Sequence, residues 1–224
     1  MSLRILKAGS IIFSITLCSQ AMAATEIGFK NEVPNKNGWV FEGKEPLKLL
    51  EENRVKTLDF NDSSDSSGIS LLHTLDPKVA DAMAKKGFVL KIRLRSDLDV
   101  PEHGNTVIVD VRLKELAPMA LVFWHAPGWQ TLGITSYDIV ANQYTGLELP
   151  NASERYIDVT ARFVPDPSGA TAGRWSVEAE KGGSYEGAIG FQSGGQGVVQ
   201  ISSNHSNPDR HSRWQIESFL ITVP

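Results

Sequence analysis

Lys91, Arg93 and Arg95 stand two residues apart, and Arg112 follows in the next segment of alternating apolar residues. In a β-strand that spacing places one residue type on one face. A row of guanidinium groups there can grip an acidic glycan through charge-assisted, bidentate hydrogen bonds. The same row is equally suited to cross-strand pairing with Asp110 and other carboxylates. A second constellation is the stretch Trp124, His125, Trp129, Tyr137, Asn142 and Tyr144. Aromatic rings stack on the apolar faces of sugars while amides read their hydroxyls, so this combination also suits a carbohydrate. Trp124 continues the apolar run from Met119 and is expected in the core.

Patterns that would support catalysis are missing. The five histidines, His73, His103, His125, His205 and His211, form no H-x-x-x-H or H-E-x-x-H pair, and most have turn-forming neighbours, which points to surface positions. No Gly-x-Ser-x-Gly elbow presents a nucleophile. Glu178 and Glu180 alternate as a solvent-facing strand would. Ser193-Gly194-Gly195-Gln196-Gly197 lacks the Lys-Ser/Thr of a phosphate-binding loop and reads as a hairpin turn. The Ser-rich stretch 59–67 reads as an exposed loop. Asp59, Asn61, Asp62 and Asp65 offer calcium the hard oxygen ligands it takes, without the EF-hand spacing. The expectation is therefore no cofactor and no metal site, with calcium as the alternative.

A formal net charge of -4 with interspersed signs excludes the basic surplus that nucleic-acid binding requires. Residues 1–23 read as a secretory signal peptide. Arg4 and Lys7 are its positive region, Ile11, Ile12, Phe13, Ile15 and Leu17 its apolar core, and Ala21-Met22-Ala23 its cleavage site. No later stretch is apolar for long enough to span a bilayer. The single cysteine, Cys18, falls within that peptide, so residues 24–224 form a cysteine-free domain, periplasmic or secreted.

The elements that must position these side chains are mostly strands. Phe88, Leu90, Ile92 and Leu94 alternate with polar residues, as do Val107, Val109, Val111 and Leu113; the two segments are expected to pair as a hairpin. Met119–Trp124 reads as a strand covered on both sides. Strands are also expected at 156–163, 175–179, 187–191, 197–202 and 214–223, with an edge strand around Trp39 and Phe41. One helix is expected over 76–86, with Asp76 as its cap and Pro77 at its first position. Many short strands and one helix describe an all-β, two-sheet antiparallel sandwich.

The order Gly-Phe-Val-Leu-Lys-Ile-Arg-Leu-Arg at 87–95, Arg155 through Val159 to Trp175, and Ser202-Ser203-Asn204 leading into Arg213-Trp214-Gln215-Ile216 resembles the concanavalin-A-like lectin/glucanase jelly roll. It is most similar to the lectin-like N-terminal domain of bacterial sialidases. The resemblance implies a lectin-like carbohydrate-binding module without a catalytic centre of its own. It lacks the Glu-x-Asp-x-Glu strand of jelly-roll glucanases and the Gln-x-His and Tyr motifs of alginate lyases. A glycan-active hydrolase or lyase with a different constellation, and a protein-protein interaction module, remain the alternatives. If residues 1–23 direct export, mass spectrometry of the exported protein will find Ala24 at the N-terminus; a full-length chain outside the cytoplasm would contradict this reading.

Overall fold

The computed structural model describes residues 24–34, 38–43, 46–62, 68–96, 105–125, 131–138, 142–150, 155–180, 182–203 and 212–224. Residues 1–23, with the expected signal peptide, and Trp129, Asp65, His103, His205 and His211 lie outside the described residues. The strands in chain order are β1 (Thr25–Lys30), β2 (Trp39–Glu42), β3 (Lys48–Glu52), β4 (Val55–Asp62), β5 (Ser70–Thr74), β6 (Phe88–Ser96), β7 (Asn105–Arg112) and β8 (Met119–His125). They continue as β9 (Leu132–Asp138), β10 (Gln143–Leu149), β11 (Ile157–Pro165), β12 (Gly173–Ala179), β13 (Gly183–Ile189), β14 (Val198–Ser203) and β15 (Ser212–Val223).

They form two antiparallel sheets. One, of eight strands, runs β13-β12-β11-β6-β15-β4-β3, with β1 alongside the other end of β15; the other, of seven, runs β10-β9-β8-β7-β14-β5-β2. This is the expected sandwich. Its core is the layer between the sheets, where the alternate residues Phe88, Leu90, Ile92 and Leu94 of β6 meet Val107, Val109 and Val111 of β7 and Leu121 and Phe123 of β8. Each fully buried side chain of that size contributes about 1.5–3 kcal/mol relative to exposure, so the period-two pattern fixes which face of each strand points inward.

β6 and β7 are not a hairpin. β6 pairs with β11 and β15, whereas β7 pairs with β8 and β14 in the opposite sheet. Two amphipathic strands each need cover for their apolar side, and here each turns it into the layer between the sheets, one from either sheet. The stretch 193–197 likewise connects β13 to β14, in different sheets, and is not a hairpin turn. The expected loop at 59–67 begins as strand, because β4 pairs with β15 through Asp62. Strands β1, β3, β5, β9 and β10 were not legible as strands.

The helix α1 (Pro77–Lys86) starts as expected. Asp76 accepts a hydrogen bond from the Lys78 backbone N–H at 2.8 Å, Lys85 and Lys86 occupy the last turn, and Met83 is its buried residue. Two polar contacts tie the sheets across the core. Ser136 Oγ lies 2.7 Å from the Tyr185 hydroxyl, whose pKa burial pushes up to about 12. Ser96 Oγ lies 2.7 Å from His125 Nδ1. His125 is thus 4 % exposed rather than a surface histidine, because it ends β8 on the inward-facing register of Leu121 and Phe123.

The β11–β12 turn is closed by Asp166. Its Oδ1 accepts from the Ser168 hydroxyl (2.7 Å) and backbone N–H (2.8 Å), and its Oδ2 from the Thr171 backbone N–H (3.0 Å) and hydroxyl (3.2 Å). Those donors, Ser168 Oγ foremost, favour the charged form and bring the carboxyl pKa from 3.8 to about 2. A depressed acid pKa stabilises the fold above the unfolded value and loses that contribution as pH falls through the folded one. Asp166→Asn should therefore melt below the parent at pH 6, with the gap closing between about pH 4 and pH 2; a gap independent of pH would show that the turn does not depend on this charge.

Candidate functional site

Strand alternation sends two sets of polar side chains outward, one on each sheet, and they differ in character. On the eight-stranded sheet the outward row of β6 is Val89, Lys91, Arg93 and Arg95. Arg93 bonds Glu217 at 2.8 Å and also binds Asp158, its neighbour across the β6–β11 ladder. The Glu217 hydrogen bond, with the charges of both carboxylates, raises the Arg93 pKa. Glu217 reaches it because a bulge between Ile216 and Ser218 inserts one extra residue in β15. Arg95 binds Gln215 at 2.9 Å and pairs with Glu52. Both guanidinium groups lie over the Tyr156 ring, at 5.4 and 5.0 Å from its centroid, and the Tyr156 hydroxyl donates to Gln215 at 3.0 Å. Arg93 and Arg95 therefore form a network spanning the β3–β4 hairpin, β6, β11 and β15, with their charge matched by protein carboxylates.

Arg112 does not join them. It projects from β7 on the outer face of the other sheet and pairs with Asp110 at 2.6 Å. Asp110 is nearly buried, its side chain 10 % exposed, and desolvation raises its pKa against the opposing pull of Arg112. Both short contacts go to Oδ2, while the buried Oδ1 has no hydrogen-bond partner. An unsatisfied buried acceptor costs on the order of 1–3 kcal/mol.

The aromatic stretch lies on that same outer face. Trp124 was expected in the core, yet Phe123 takes the inward position and Trp124 the outward, half-buried one. Its indole covers Gly133 of the adjacent strand, where a Cβ would stand 1.9 Å from Trp124 Cε2. Only glycine leaves that space. Across the hairpin, Tyr144 of β10 is 73 % exposed and is in register with Tyr137 of β9, whose side chain lies outside the described residues. Asn142 sits in the β9–β10 turn with a left-handed φ of 53°. Toward the other edge the face continues through Val122, Ile108 and Leu72, half-buried, to exposed Val40, with Gln200 and Ser202 of β14 between. Trp124 and Arg112, twelve residues apart in sequence, both point outward on this sheet; the signal that could have placed Trp124 is Gly133, a glycine inside a strand, which marks close approach.

Of the calcium candidates, Asp59 lies in β4 opposite Lys48, and the side chains of Asn61 and Asp62 lie outside the described residues. Glu178 points outward from β12, as expected.

No family profile matches the sequence, and no curated protein matches it. Solved structures do share its fold. The chain is similar to a conserved carbohydrate esterase from the Shiga toxin-encoding bacteriophage phi24B, with a TM-score of 0.68 and 10 % identity over 89 % of this chain and 99 % of that one. It is similar to a protein of unknown function from Shewanella oneidensis MR-1, with a TM-score of 0.56 and 11 % identity over 89 % and 86 %. It is also similar to the binding domain of botulinum neurotoxin DC in complex with SialylT, with a TM-score of 0.52 and 12 % identity over 83 % of this chain and 42 % of the neurotoxin domain. At these identities the likeness is one of fold.

If Arg93 braces the sheet, Arg93→Ala should lower stability by roughly 1–2 kcal/mol, discounted for the partial exposure of the pair. Denaturant titration checks this, and an unchanged midpoint would show that the network contributes nothing net.

Proposed function

We propose that the protein is an exported, lectin-like carbohydrate-binding module whose ligand lies on the outer face of the seven-stranded sheet. The observation that carries this reading is the Trp124 indole seated over Gly133. A flat ring held against a side-chain-free strand is fixed in orientation before ligand arrives, so stacking a sugar on it costs little ordering entropy. Tyr144 extends the aromatic surface along the same face. Gln200, Ser202 and Arg112 supply donors for sugar hydroxyls. The fold shared with a carbohydrate esterase and with a neurotoxin domain complexed to SialylT supports a glycan ligand, as does the sequence resemblance to sialidase lectin-like domains.

Catalysis is the weaker reading. The Ser96–His125 pair has the composition of a nucleophile and its base, but Ser96 is 1 % and His125 4 % exposed, between the sheets. A protein partner is the second reading, favoured by the apolar strip of Val122, Ile108, Leu72 and Val40 beside Trp124.

A glycan array with the chain from Ala24 tests the assignment. The parent should retain at least one glycan class, and Trp124→Ala should weaken it by about 2 kcal/mol, the loss typical of a central aromatic contact, with little change in melting temperature. Equal retention by the variant, or no glycan retained by the parent, would overturn it.

A further inference from the structure

The outer face of the eight-stranded sheet holds a groove of about 810 Å³ whose lining does not depend on the aromatic face. Strand β15 forms its floor through Ser218 and Leu220, and Gly28 of β1 lies beside Leu220. Gly28 has no room for a side chain, because a Cβ there would meet the Phe219 carbonyl oxygen at 2.1 Å. One wall is the outward row of β1, ending in Lys30. The other is Lys91 and Arg93 of β6, with Asp158 and Thr160 of β11 behind them. The registers Lys30 to Ser218, Ser218 to Arg93 and Leu220 to Lys91 place the two walls two strand spacings apart. That is roughly 10 Å, the width of a single extended polymer strand.

The charges in this groove are not equivalent. Arg93 and Asp158 satisfy each other, and Glu32 has an interaction of its own. Lys30 and Lys91 are both exposed, and among the described residues neither ammonium group has an ion-pair or hydrogen-bond partner. Two uncompensated ammonium groups thus face the middle of the groove from opposite walls, and Glu26 stands at its far end. Each can give charge-assisted hydrogen bonds to an anion without first giving up a protein partner. Ser218 and Thr160 add hydroxyls that pair with sugar hydroxyls.

We propose that this groove is a second saccharide site, for an anionic polysaccharide strand held between Lys30 and Lys91, on the sheet opposite Trp124. The proposal rests on the carbohydrate reading of the fold, but uses none of the residues of the aromatic face. The module would then hold one glycan on the Trp124 face and an anionic one on the opposite sheet.

The chain from Ala24 is titrated with polygalacturonate, dextran sulfate and neutral dextran. The proteins are the parent, Lys30→Gln/Lys91→Gln, Trp124→Ala and the charge-matched control Lys78→Gln/Lys114→Gln. The parent should bind at least one polyanion, and raising salt should weaken that binding as it screens the groove. Lys30→Gln/Lys91→Gln should bind it at least tenfold more weakly with an unchanged melting temperature, while Trp124→Ala and the control bind as the parent does. Polygalacturonate binding would identify a carboxylated ligand, and dextran sulfate binding alone a sulfated one. No polyanion bound by the parent, or an equal loss in the control pair, would overturn the proposal. Glycan-array binding that depends on Trp124 would in either case leave the first site standing.

Discussion

The strand side chains at both faces owe their direction to the pleat of strands whose alternate residues are buried in a single apolar layer. Leu90, Ile92 and Leu94 cannot leave the core without exposing three large side chains, at about 1.5–3 kcal/mol each. Lys91, Arg93 and Arg95 are consequently held outward. The same constraint acts on β8, where Leu121 and Phe123 occupy the core and force Trp124 to the surface. Function in this molecule is confined to what the core leaves over.

What it leaves over differs between the two faces. The eight-stranded sheet carries a dense electrostatic network in which Arg93, Arg95, Tyr156, Gln215 and Glu217 restrain one another, and it stitches β3, β6, β11 and β15 together at the surface. A paired arginine must surrender its carboxylate before it can bind a ligand's, so the network is better suited to holding shape than to recognition. On the seven-stranded sheet the carboxylate–guanidinium pair of Asp110 and Arg112 is set beside the aromatic strands, and the outward residues Val122, Ile108 and Leu72 are apolar.

The sequence was informative wherever one face of a strand is apolar and the other polar. The alternation in β6, β7, β11 and β12 and the Asp76-Pro77 helix start were legible for that reason. Period two says which residues share a face, but not which sheet the strand joins, so β6 and β7 were paired as a hairpin when they belong to opposite sheets. It also fails where both faces are apolar. In β8 the outward residues Ala120, Val122 and Trp124 are as apolar as the inward ones, and the run looked like a strand covered on both sides. β1 and β3 escaped because they are short edge strands with mixed patterns. Of the candidate site residues, Arg112, Asn142 and Tyr144 fall on one sheet and Arg93 and Arg95 on the other, a division that only non-local pairing determines.

The account places the principal ligand on the Trp124 face. The most direct test is to follow the tryptophan indole and backbone amide signals by heteronuclear NMR while a retained glycan is added. The account predicts shifts at the Trp124 indole and at the amides of its ladder neighbours Thr106 and Gly133, with Trp175 and Trp214, both buried in the core, unmoved. Shifts confined to β1, β6 and β15, with Trp124 silent for a neutral glycan, would contradict it.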